Sequence, residues 1–212
     1  MTQPLLLFSH VCAAYGPRPV LTDINLRVER GSFILLTGPN GGGKTTLLRL
    51  MLGLMRPSGG SLLRTPGLRI GYQPQYQRMD KQFPITVADL VLTGLQNRLR
   101  PWQRPGRAER ELVAQALQTF GLTDLAQCPA SRLSGGQLQR ALFVRAVVSA
   151  PDLLVIDEPD TYLDADHRAA LYAYLAQPRP ERAVVMVSHD ASLPASLPTL
   201  SLHVAEGRVS RA

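Results

Sequence analysis

Gly38-Pro39-Asn40-Gly41-Gly42-Gly43-Lys44-Thr45-Thr46 decides the reading of this chain, because it fits the pattern G-x-x-x-x-G-K-[ST] and joins two different apolar segments. Before it, Phe33 to Thr37 (FILLT) reads as a buried strand. After it, Thr45 to Met55 (TTLLRLMLGLM) is apolar on nearly every side, as a helix inside a domain should be. A strand, a glycine-rich loop and a helix start make a cradle for a polyphosphate. Gly38, Gly41, Gly42 and Gly43 are expected to bring backbone N–H groups close to the anion with no Cβ in the way. The helix start adds its positive end. Lys44 would set a point charge on the β/γ-phosphates, Thr45 would complete the coordination of Mg²⁺, and Thr46 would offer a hydroxyl on the α-phosphate side.

Three further apolar runs end in polar residues: Leu68 to Gln75, Asp152 to Glu158 and Ala183 to His189. In open parallel sheets, ligands bind beyond such carboxyl ends. Leu153 to Ile156 followed by Asp157 and Glu158 forms a Walker B pattern. Asp157 is placed to hold Mg²⁺ through water and Glu158 to act on an attacking water. Gln75 offers an amide oxygen to the same metal, and His189 is a candidate for contacting a γ-phosphate or positioning the water. Leu133-Ser134-Gly135-Gly136-Gln137 precedes a second helical pattern, Leu138 to Ala150 (LQRALFVRAVVSA), so Ser134 stands where an N-cap belongs and the glycines open N–H groups to an anion. Together the motifs specify a P-loop NTPase with two phosphate-seeking helix starts.

The chain has 212 residues, enough for one α/β domain with a smaller appendage. No apolar run is long enough to span a bilayer, and the opening MTQPLLLFSHV lacks the basic and apolar regions of a signal peptide, so a cytosolic chain is expected. Cys12 and Cys128 stand alone without zinc or redox spacing and read as packing residues. The net charge of +7 is carried almost wholly by arginine, Lys44 and Lys81 being the only lysines. These arginines are scattered, and the densest group, Arg98 to Arg110, has only Trp102 among it for stacking. A solvated surface is the first reading, an anionic lipid surface the second, and direct nucleic-acid binding the last.

The loop at Gly38, Gln75, the LSGGQ pentapeptide at Leu133 to Gln137, Glu158 and His189 occur in the order and spacing of ABC-type ATPases, and the chain resembles that family along essentially its whole length. The resemblance implies an α/β fold: a P-loop core with a mainly parallel sheet and an N-terminal antiparallel β portion (1–75 and 133–212), and an inserted α-helical subdomain over about 76–132. It implies ATP with Mg²⁺ held by Thr45, Gln75 and Asp157, and Glu158 as general base. It also implies a head-to-tail dimer, homodimeric or with a paired ABC subunit, in which Ser134, Gly135, Gly136 and Gln137 of one subunit close over the ATP held by the other's Lys44. Tyr15 falls where the family stacks an aromatic on adenine, and Asp164 matches its D-loop aspartate. The stretch Thr161-Tyr162-Leu163-Asp164 departs from the commoner S-A-L-D, and Asp160 follows Pro159 where Thr is usual, which bears on communication between the two ATP sites.

Arg69 to Gln75, then Phe83 to Val87 and Leu90 to Leu95, look like the ATPases of zinc, manganese and iron importers. That likeness implies a motor on the cytoplasmic face of the inner membrane. Its expected partners are an integral membrane permease and, indirectly, an extracytoplasmic solute-binding protein, with no direct nucleic-acid partner. The rival class is a soluble ABC protein acting on ribosomes or DNA. Such proteins usually carry tandem domains or coiled-coil or zinc insertions, none of which is read here. A clamp that scarcely hydrolyses is opposed by Glu158 and His189. Beyond His189 the sequence predicts a terminal hairpin around Glu206-Gly207-Arg208-Val209.

Overall fold

A computed structural model describes residues 3–75, 84–100, 102–159, 162–190 and 193–211. The interval 76–83, which opens the expected helical insertion, and the departing residues Asp160 and Thr161 lie outside the described residues.

Two sheets carry the fold. Strands β1 (Leu6–Tyr15), β2 (Arg18–Val28) and β4 (Gly59–Arg64) form an antiparallel sheet in the order β2-β1-β4. The larger sheet has the order β5-β6-β7-β3-β8-β9, built from β3 (Phe33–Thr37), β5 (Ile70–Gln73), β6 (Leu153–Asp157), β7 (Ala183–Val187), β8 (Leu200–Ala205) and β9 (Arg208–Arg211). Every pairing from β5 to β8 is parallel, and β9 closes the edge as the antiparallel arm of a hairpin. All residues of β6 and β7 are buried, which explains their unbroken aliphatic runs: strands covered on both faces have no solvent side to alternate with.

Helix α1 (Lys44–Leu52) packs between the sheets, burying Leu47, Leu48, Leu50 and Met51 in a core shared with Phe8, Val11, Ile34, Leu36, Val155 and Val185. Between β5 and the next strand the described residues are helical or irregular: α2 (Val87–Leu92), α3 (Arg107–Thr119), short 3₁₀ turns and α4 (Gly135–Val147). Helix α4 serves two cores. Its Leu138, Ala141 and Leu142 pack with Val91, Leu95, Val113 and Leu117, while its Phe143, Ala146 and Val147 pack on the sheet with Ile156, Met186 and α5 (Ala165–Ala176). Gly71 permits this seating, because a Cβ there would collide with the carbonyl of Ala146.

Candidate functional site

The loop after β3 uses its four glycines for different reasons. Gly38 (φ 128°) and Gly42 carry no Cβ because one would strike the Val204 carbonyl on β8, and a Cβ on Gly43 (φ 112°) would sit 2.6 Å from the Leu21 side chain. Only Gly41 (φ 79°) faces open space. Most of the glycine requirement is therefore internal: the loop is pressed onto β2 and β8, and that packing sets its curvature. Gly38, Gly41 and Gly43 also take the positive φ that the sequence expects of them, and Gly41 and Gly43 line the cavity at the strand ends.

Helix α1 begins without a side-chain cap and without an acid in its first turn, so its leading N–H groups and positive end are offered outward. The Lys44 ammonium, only 7% exposed, donates to the carbonyls of Gly38 (2.6 Å) and Pro39 (3.0 Å), so its charge is stored inside the loop. Among the described residues no carboxylate pairs with it.

The carboxyl ends of β3, β5 and β6 deliver their polar residues to a cavity of about 810 Å³ lined by Asn40, Gly41, Gly43, Lys44, Thr45, Thr46, Gln75, Asp157 and Glu158, with Tyr15 at its rim. Asp157 is 4% exposed. Glu158 adopts a left-handed backbone (φ 50°) that is costly for a side chain of this kind. Its N–H donates to Val187 (3.0 Å), its carbonyl accepts from Gln139 Nε2 (3.2 Å), and its Oε2 accepts from Gln75 Nε2 (2.7 Å). Strain held by three separate elements fixes this carboxylate at the mouth of the loop. Thr45, Gln75 and Asp157 supply the oxygen donors that a hard cation takes, few enough to suit an ion whose remaining ligands are phosphate and water. Tyr15, 45% exposed, accepts a hydrogen bond from Arg49 (2.8 Å) and leaves a ring face at the rim.

Other expected site residues do not line this cavity. His189 is exposed just past the end of β7. Ser134 is the N-cap of α4, and its side chain accepts from the Gln137 N–H (3.2 Å) while Gln137 Oε1 accepts from the Ser134 N–H (2.9 Å). That reciprocal cap consumes two donors, leaving the N–H groups of Gly135 and Gly136 for an anion. The Tyr162 ring lies against Gly135, 3.2 Å from where a Cβ would be. Asp164 caps α5 by accepting from the His167 N–H (2.9 Å) and meets its ring nitrogen at 2.6 Å; these bonds hold its carboxyl below the usual carboxylate range. One chain thus presents a loop with an open cavity and, elsewhere, a separate capped helix start.

The structure also brings to the cavity residues that the sequence did not assign to a site. Arg18, Thr22, Glu206 and Gly207 line the cavity, because the hairpin turn between β8 and β9 docks on the loop. Gly207 donates to Gly42 (3.4 Å) and accepts from Thr22 (2.8 Å). A Glu-Gly turn between two strands was legible as a hairpin, but nothing local reveals where its tip rests.

Residues 21–161 match the family model described as ABC transporter. The chain is 40% identical over 191 residues to the zinc import ATP-binding protein ZnuC of Photorhabdus laumondii, covering 89% of this chain and 70% of the relative. It is 41% identical to the zinc import ATP-binding protein ZnuC of Yersinia pestis bv. Antiqua, covering 89% and 71%. Among solved structures it superposes with a TM-score of 0.84 and 27% identity on an ABC transporter assigned to the metal-chelate type in an inward-facing conformation, covering 99% of this chain and 83% of that one. A dimeric ATP-binding cassette in a post-hydrolysis state with ADP and Pi gives a TM-score of 0.84 at 24% identity, covering 97% of each chain, a likeness of fold.

Proposed function

This chain belongs to the ABC transporter family and is an ATPase of that family, and from that premise we propose that it is the motor subunit of a divalent-metal importer of the zinc type. The observation that carries the metal class is the identity of about two residues in five, over most of both chains, to zinc import ATP-binding proteins. Two copies would bind ATP, close head to tail, and move a membrane permease between its inward- and outward-facing states. An extracytoplasmic solute-binding protein would deliver the ion. No helix among the described residues is long and apolar enough to cross a membrane, which suits a peripheral subunit at the cytoplasmic face of the inner membrane.

The nucleotide's phosphates lie along the loop at Gly41 and the first turn of α1, where Lys44 exchanges its carbonyl partners for phosphate oxygens. Tyr15 stacks on the base. Thr45, Asp157 and Gln75 are the residues that would hold Mg²⁺, which when bound neutralises phosphate charge. Glu158 accepts a proton from the attacking water as its oxygen bonds to the γ-phosphorus and the bond to the ADP oxygen breaks. Gln75 holds the Glu158 carboxylate by its amide N–H, so the residue two positions past β5 is tied to the base. His189, Asp164 and the Ser134–Gln137 start of α4 take their roles when a second copy closes on the site.

The test is capture of the Glu158→Gln protein from gently solubilised native membranes. A multi-span permease should co-purify, and vesicles holding the wild-type complex should accumulate zinc only with ATP. Ribosomal or DNA-associated partners would overturn the transporter reading. A permease complex indifferent to divalent metals would overturn the substrate.

A further inference from the structure

We propose that Glu206 reads the ribose of the bound nucleotide. It sits at the tip of the hairpin between β8 and β9 and lines the cavity together with Lys44, Tyr15 and Thr22. Both residues of this two-residue turn have positive φ, 50° at Glu206 and 74° at Gly207, the form that favours Asn-Gly or Asp-Gly. Gly207 is explained by its backbone and by packing, since a Cβ there would lie 2.6 Å from the Val20 carbonyl. Glu206 is not explained by the turn, because a longer side chain in a left-handed backbone is a poor choice on conformational grounds. Its carboxylate has no hydrogen bond or ion pair among the described residues.

What such a group can bind follows from its chemistry. An ionised carboxylate only accepts hydrogen bonds, and beside a triphosphate it would repel, so it must meet a part of the ligand that donates. The order of residues along the cavity identifies that part. Tyr15 and Arg18 lie at the β1–β2 turn, where the base stacks, and Gly42 to Thr46 lie where the phosphates go. The hairpin tip is bonded to Thr22, four residues along β2 from Arg18, and to Gly42 of the loop, so it stands beside both groups on the cavity wall. The sugar joins base to phosphate, and its vicinal hydroxyls are the donors at that level. A carboxylate accepting from a ribose hydroxyl is a contact that dinucleotide-binding folds also use.

The inference rests on the assignment of this cavity to ATP, and one titration series separates the two. The intact chain is titrated with ATP, 2′-deoxy-ATP, 3′-deoxy-ATP and inosine triphosphate, alongside Glu206→Asn, a substitution that suits a left-handed turn and should keep or raise the melting temperature. Wild type should bind ATP about tenfold more tightly than at least one deoxy analogue. Glu206→Asn should bind ATP and that analogue equally while retaining affinity for the triphosphate. An unchanged ATP-to-deoxy ratio in the variant overturns the proposal, as does one common factor for every nucleotide, which would make Glu206 a source of general repulsion. A change that follows inosine triphosphate moves the contact to the base amine and overturns the ribose assignment. A wild-type chain that binds none of the four overturns the cavity assignment itself.

Discussion

At the scale of single residues, the site separates holding a charge from using one. Lys44 is buried and bonded to its own loop, so Lys44→Ala should leave the fold standing and remove triphosphate affinity; unchanged affinity in a binding titration would count against the cradle. Glu158 is held in a left-handed backbone by Val187 and Gln139, and its carboxylate by Gln75, so its geometry survives replacement by an amide of the same shape. Glu158→Gln should therefore keep ATP affinity within a few-fold and lower turnover by about a hundredfold or more, the usual worth of a positioned general base. Single-turnover hydrolysis measures this directly, and normal turnover would remove Glu158 from the role.

At the scale of elements, the packing of α4 on the sheet explains what the sequence could and could not show. Strand β3 was legible to the residue, because FILLT is bounded by polar and glycine signals at both ends. Helix α4 was expected over Leu138 to Ala150 and runs Gly135–Val147, since apolar periodicity marks the buried face while the cap at Ser134 marks the start. Helix α5 went unread: its alanine-rich sequence buries only Leu171, Tyr172 and Leu175, a pattern too thin to stand out. Gly71 was equally mute, as its reason lies on another element. Gly71→Ala would drive a methyl into the Ala146 carbonyl and should cost about 3 kcal/mol in urea unfolding, the upper range for overpacking. A loss under a few tenths would show that α4 is not seated on β5 as described.

The start of β6 carries a second element-scale consequence. Arg69 grips Asp152 through Nε (3.1 Å) and a second nitrogen (3.2 Å), and its N–H adds a third bond. Hydrogen bonding from Arg69 holds the Asp152 carboxyl below its ordinary value. A depressed folded-state pKa stabilises the fold fully above the unfolded value of about 4 and is lost as the pH falls from there through the folded pKa. Arg69→Met should therefore cost about 1 kcal/mol at neutral pH, limited by water around an arginine that is 42% exposed, and the gap from wild type should close below about pH 4. A gap that persists in acid would assign the loss to packing by the arginine stem.

At the scale of the whole molecule, the decisive fact is a separation: the cavity with Lys44 and Glu158 is on one face of the chain's machinery, and the Ser134 helix start is not among its walls. The loop and the helix start that the family resemblance assigns to one composite site are therefore not brought together within a single chain. If a second copy supplies the missing half, defects in the two halves must complement one another between chains. Lys44→Ala and Ser134→Arg should each abolish ATP turnover alone. In their mixed dimer, the intact loop of one chain meets the intact helix start of the other, while both lesions collect in the opposite site. Mixing the two dead proteins should then restore about a quarter of wild-type turnover, because random pairing makes half the dimers mixed and each has one good site of two. Recovery that rises and saturates with the second protein would establish assembly in trans. No recovery, under conditions where the mixed dimers are shown to form, would mean that the chain completes its site alone or that one good site does not fire by itself; a wild-type chain paired with the double mutant Lys44→Ala/Ser134→Arg decides between these, since there each composite site holds one lesion and only a chain that acts alone stays active.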